Sequence, residues 1–178
     1  ERERLHGMPA GRFAVIALIE TATGLLSAQQ LASMPRVAHL GLGEVDLCAE
    51  LRLRPSDTRE ELAPLRLQVV LASAAAGIGA PIAPTSTDFR DLDALRVSTE
   101  ALLRAGFRAR TAIHPAQVPV INEVFSPSPE EVAEARSLLA AFGQAHSGVI
   151  TDAKGRMVDV AVVRSARELL GRAGHSSP

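Results

Sequence analysis

Two acids stand directly behind two apolar runs. Ala14 to Ile19 is unbroken hydrophobic sequence, and Glu20 stops it; a second run, Val37 to Leu42, leads into "GLGEVDL", which carries Asp46. Neighbouring strands of a sheet lie about 4.8 Å apart, so carboxylates at two adjacent strand ends can share one cation. Oxygen-only ligands suit a hard ion, and Mg2+ takes one or two carboxylates plus water and substrate oxygens. Taken singly, each acid reads as a helix cap or a solvated loop residue. As a pair at strand ends they are candidate ligands. Thr21 and Thr23 read as caps of a following helix, and Glu44 as a solvated neighbour of Asp46.

Other chemistries are poorly supplied. Among nineteen basic residues only Lys154 is a lysine, in the polar, turn-like "TDAKGR". A Schiff base needs a desolvated lysine, so carbonyl chemistry here calls for another electrophile. The five histidines have no zinc-like spacing. Net charge is −1, which gives no electrostatic case for nucleic acid or an anionic membrane. A single cysteine, Cys48, excludes an internal disulfide and fits a reducing cytoplasm. No apolar stretch reaches the roughly 20 residues that span a bilayer. The "ERERLHGMPAG" start has no signal-peptide core.

The elements that must position the acids follow from the apolar pattern. Strands are expected at Phe13–Ile19, Val37–Leu42, Ala80–Ala83 and Thr111–Ile113, mostly without alternation, as in parallel strands covered on both faces. Helices are expected near Ser27–Ser33, over Glu60–Ala76 with Gly77 as its stop, and over Leu92–Ala105 between the cap Asp91 and Gly106. "SPEE" predicts a further start: Ser128 as cap, Pro129 at the first position, Glu131 closing a capping box. Val132, Ala135, Leu138, Leu139 and Phe142 form that helix's stripe. A last helix is expected over Val160–Leu170, with the tail Gly174–Pro178 frayed. Strand–helix alternation of this kind predicts a parallel α/β sheet. Four such units are half of a (β/α)8 barrel, which takes about 250 residues. An open doubly wound sheet is the alternative, without a GxGxxG behind any strand.

The segments "IALIETATGLLSAQQLA", "RVAHLGLGEVDLCAEL", "PIAPTSTDFRDLDAL", "RTAIHPAQVPVINEVFSPSPEEVAEAR" and "DAKGRMVDVAVVRSARELL", in this order, resemble the citrate lyase beta-subunit-like branch of the HpcH/HpaI aldolase family. The resemblance implies the C-terminal half of a TIM (β/α)8 barrel of the phosphoenolpyruvate/pyruvate-binding type. Residues 1–150 would hold the last four strands, and 151–178 a C-terminal helical lid. It implies Mg2+ held by Glu20 and Asp46, and an oxoacid carboxylate bound at the backbone of Gly43, Glu44 and Val45. Asp159 in "RMVD" would be the catalytic acid, or simply the cap of the last helix.

The implied activity is carbon–carbon cleavage of a β-hydroxyacyl thioester of the citryl-, malyl- or citramalyl-CoA kind, giving an oxoacid and an acyl thioester. The thioester would ride on coenzyme A or an acyl carrier. An aldolase of free oxoacids and a non-catalytic binding homologue are the alternatives. The implied assembly is a homo-oligomer, a trimer, in the cytoplasm, with Phe125, Val160 and Leu169 in the stretch covering a neighbour. The family's first half, with its substrate arginine, has no counterpart here; Arg12, Arg36 and Arg52 do not match it. His114, before Pro115 at the fourth strand end, reads as a thioester contact or a structural histidine. Arg90 reads as a coenzyme A phosphate contact or a solvated arginine, and Asp88 and Asp91 as turn and cap.

Overall fold

The structure, a computed structural model, describes residues 2–9, 11–144, 149–152 and 154–175. The chain divides into two compact units, Glu1–Phe125 and Ser126–Pro178. This division falls earlier than the expected 150/151 boundary, because the helix after Ser128 packs on the last helix rather than joining the first unit.

In the first unit four strands pair in chain order and all in parallel: β1 (Val15–Ile19), β2 (Val37–Leu42), β3 (Ile82–Ala83) and β4 (Ala109–Arg110). The parallel α/β expectation holds. The fourth strand was expected at Thr111–Ile113 and lies just upstream. Thr111 N still reaches Ala83 O at 3.2 Å, but Ile113 N turns to the Gln117 side chain and the ladder stops. Helices α1 (Arg2–Leu5), α2 (Ala22–Leu26), α3 (Ala28–Ala32), α4 (Glu44–Leu51), α5 (Ala63–Ala76), α6 (Leu92–Arg104) and α7 (Gln117–Phe125) complete the unit.

Local chemistry explains most boundaries. The Thr21 hydroxyl accepts from Gly24 N at 3.0 Å and starts α2, upstream of the helix expected at Ser27. Gly77 closes α5 with φ 67°, a left-handed conformation glycine adopts without a Cβ clash. Asp91 caps α6 through Ala94 N at 2.8 Å, and Asp88 closes the turn before it. Helix α4 has Gly43 as its N-cap and no capping side chain, so nothing in "GLGEVDL" announces it.

Ile19, Leu40, Leu42, Leu47, Val69, Ala83 and Phe107 form the buried core between sheet and helices. Paired residues of parallel strands share a face, and Ile16↔His39 and Leu18↔Gly41 lie opposite Ile19↔Leu42. Ile16 and Leu18 are each 57% exposed. The helices thus cover one face of the sheet near β1 and leave the other open.

In the second unit α8 (Pro129–Gln144) carries the expected capping box: Glu131 N donates to Ser128 Oγ at 3.1 Å and Ser128 N to Glu131 Oε2 at 2.8 Å. A hairpin, β5 (Ile150–Thr151) and β6 (Met157–Val158), leads to α9 (Val160–His175). Helix α9 runs past Leu170 into the stretch expected to fray; residues 176–178 lie outside the described ones.

Candidate functional site

A parallel sheet sends all its carboxyl ends to one edge. There Glu20 follows β1, Gly43 follows β2, Pro84 to Ser86 follow β3, and Arg110 ends β4.

Glu20 is half-buried and lies over Gly43. A Cβ at residue 43 would stand 2.8 Å from Glu20 Cβ and 3.3 Å from Glu20 Oε2. Gly43 N donates to Ile19 O at 2.8 Å, which locks the two strand ends together. With that amide engaged, the free N–H groups of α4's first turn are those of Glu44, Val45 and Asp46, since the leading amides of a helix have no partner within it. Gly43→Ala should therefore displace the Glu20 side chain. Crystallography of the variant should show Glu20 in a new rotamer, with divalent-ion affinity reduced and overall fold retained.

Asp46 sits exposed in the first turn of α4. Glu50, one turn later on the same helix face, accepts from Ala22 N at 3.0 Å. That face of α4 is thereby directed to the segment carrying Glu20. Neither Glu20 nor Asp46 takes a hydrogen bond or ion pair among the described residues, whereas the neighbouring acids Glu44 and Glu50 do. Glu20 is not the cap of α2; Thr21 is. No group of three His, Cys, Asp or Glu among the described residues is arranged to hold a metal. Two unpaired carboxylates on adjoining segments are a donor set that fits a hard ion completing its shell with water and substrate oxygens.

Glu44 corrects the sequence reading. It is 4% exposed rather than solvated. Arg66 of α5 grips it with two bonds, Nε to Oε1 at 2.6 Å and Nη2 to Oε2 at 3.0 Å, and Arg59 approaches at 3.6 Å. Its side chain is therefore not available to a substrate, and only its backbone amide can be. Arg110, not singled out by sequence, is half-buried and donates to Pro84 O, Ser98 Oγ and Thr99 Oγ1 at 2.9, 2.9 and 2.7 Å. Burial lowers its pKa to about 10, so it remains a cation at neutral pH. Arg59 and Arg66 are paired with Glu44, and Arg110 adds a further buried cation nearby.

Gln117 is another residue without a sequence-level role. Fully buried, it accepts from Ile113 N at 2.9 Å and donates to Ser86 O at 3.0 Å, tying the loops after β3 and β4 together. His114 is exposed and stacks on Phe89 at 4.8 Å, with Nδ1 accepting from Ala116 N. Arg90 covers the Phe89 ring at 4.6 Å. Burial and nearby Glu44 push the Cys48 thiol up, away from thiolate chemistry. In the second unit Asp159 Oδ1 accepts from Ala161 N at 2.9 Å and Val162 N at 3.2 Å, the expected cap of α9. Phe125 is buried in the core of the first unit, which removes it from the surface expected to cover a neighbour.

The chain is 37% identical over 161 residues to a (3S)-malyl-CoA thioesterase of Cereibacter sphaeroides, an alignment covering 88% of this chain and 55% of that protein. It is 31% identical to an L-malyl-CoA/beta-methylmalyl-CoA lyase of Rhodobacter capsulatus, covering 91% and 57%. Among solved structures it resembles the protein CitE from Mycobacterium tuberculosis in complex with magnesium, acetoacetate and coenzyme A. The TM-score there is 0.77 at 32% identity, over 90% of this chain and 61% of that one. The chain thus spans little more than half the length of these relatives. No helix among the described residues is long and apolar enough to cross a membrane. The sheet, its order and the match over residues 1–115 agree: the chain belongs to the HpcH/HpaI aldolase/citrate lyase family.

Proposed function

We propose that this chain is the C-terminal half of a (β/α)8-barrel carbon–carbon lyase that cleaves a β-hydroxyacyl thioester of the malyl-CoA kind. The observation that supports it best is the pair of carboxylates, Glu20 and Asp46, on adjoining strand-end segments and without a partner among the described residues. The open sheet face at Ile16 and Leu18 supports the half-barrel reading, with the remaining strands covering it in a complete protein.

Glu20 and Asp46 would hold Mg2+, which when bound supplies a Lewis acid for the oxoacid carbonyl. The free amides of Glu44, Val45 and Asp46 orient the oxoacid carboxylate at the positive end of α4. A base removes the hydroxyl proton, the carbon–carbon bond breaks, and its electron pair passes to the acyl thioester as an enolate. Asp159, presented from a neighbouring subunit, is the proposed donor of the proton that returns to that carbon; its Oδ1 takes the cap bonds of α9. The assembly is an oligomer, a trimer, working on soluble thioesters in the cytoplasm.

The thioesterase relative favours one second reading, hydrolysis of the same thioester. Products separate the two. Given malyl-CoA and Mg2+, the complete protein should release glyoxylate and acetyl-CoA, read by carbonyl trapping and chromatography. Malate with free coenzyme A thiol, and no glyoxylate, would assign hydrolysis instead.

A further inference from the structure

We propose that Glu50 is a positioning residue that sets the distance between Glu20 and Asp46; the proposal rests on the reading of those two acids as the metal pair. Glu50 Oε2 accepts from Ala22 N at 3.0 Å, across twenty-eight residues of sequence. Ala22 is two residues beyond Glu20. Asp46 is one helical turn before Glu50 on α4, on the same face. The bond therefore links the two segments that carry the two acids, immediately beside both.

A second hydrogen bond joins these segments, Gly43 N to Ile19 O at 2.8 Å, with the packing of Glu20 on Gly43. That link, the Glu44–Arg66 bonds and the burial of Leu47 fix the first turn of α4. The Glu50 bond lies about two turns beyond Gly43 and fixes that part of α4 against Ala22, on the segment carrying Glu20. Thr21 satisfies Gly24 N, and the Glu50 bond to Ala22 N is an addition to that cap. A hydrogen bond donated by a leading helix amide to a carboxylate is also favoured by the positive end of α2. Two ligands on separate segments bind one ion tightly only when their separation is held, and outer partners that orient ligands typically control about 10- to 100-fold in metal affinity.

The test separates reach from charge. Glu50→Gln keeps the length and a carbonyl acceptor but loses the charge; Glu50→Asp keeps the charge and is too short to reach Ala22 N. Affinity for Mg2+ alone is measured by calorimetry, and for Mn2+ by electron paramagnetic resonance, on the full-length protein. Hydrogen exchange at the Ala22 amide reports the bond itself. Glu50→Asp and Glu50→Ala should bind metal about 10- to 100-fold more weakly and exchange Ala22 faster, while Glu50→Gln stays within about threefold of the parent. The opposite order, Glu50→Asp like the parent and Glu50→Gln impaired, would show that Glu50 acts by its charge and overturn the proposal. So would parental affinity in Glu50→Ala. Glu20→Gln and Asp46→Asn run alongside: if these bind metal normally, the metal pair itself is wrong; if they do not while Glu50→Ala does, only the role of Glu50 falls.

Discussion

Asp46→Asn and Glu20→Gln are each expected to abolish measurable Mg2+ binding and to slow carbon–carbon cleavage by about a hundred- to a thousandfold, the scale of losing several kcal/mol of carbonyl polarisation. Each change keeps the side-chain shape and removes the ligand charge. Neither acid anchors anything else. Asp46 is exposed with no partner among the described residues, and Glu20 rests on Gly43 by packing that the amide preserves. Melting temperatures should therefore stay close to the parent's without metal. Added Mg2+ should raise the parent's melting temperature and not the variants', because a ligand stabilises only the state that binds it. Calorimetric titration with a steady-state cleavage assay checks both arms. Full cleavage activity in both variants would return the two acids to solvated strand-end residues.

Glu20 and Asp46 stand out in the sequence as carboxylates behind apolar runs, and the parallel sheet behind them was legible. Helices with chemical punctuation were legible too: Asp91, Gly77 and the Ser128–Glu131 box each sit where a cap was expected. What was not legible depends on residues distant in sequence. Helix α4 starts at a glycine without a capping side chain, so "GEVDL" passed for a loop. Glu44 looked solvated since its partner Arg66 lies twenty-two residues on, in another helix. Gln117 and Arg110 close loops from different strands, and no local pattern encodes that. Strand β4 was placed too late because "TAI" is apolar, whereas pairing is decided by which amides still find Ala83.

The same burial makes Arg66→Met costly to stability. It leaves the Glu44 carboxylate, whose side chain is 3% exposed, with Arg59 alone at 3.6 Å. Removing one partner from a buried ion pair costs about 3–5 kcal/mol, because the remaining charge can neither reach water nor find equal compensation. Arg59 offsets part of this, but its own side chain is 47% exposed and its contact is single and long, so a loss near the lower bound, about 3 kcal/mol, is expected. Glu44→Met combined with Arg66→Met removes both charges and should recover most of that loss, since apolar replacement of a whole buried pair is often neutral. Urea denaturation of the parent, the single variant and the double variant gives the three free energies. A double variant as unstable as Arg66→Met would mean that the cost lies in packing around α4 and α5, not in a stranded charge. Because Glu44 opens the helix that continues into Val45 and Asp46, the single variant should also raise the KM for the thioester, through a first turn no longer held against α5.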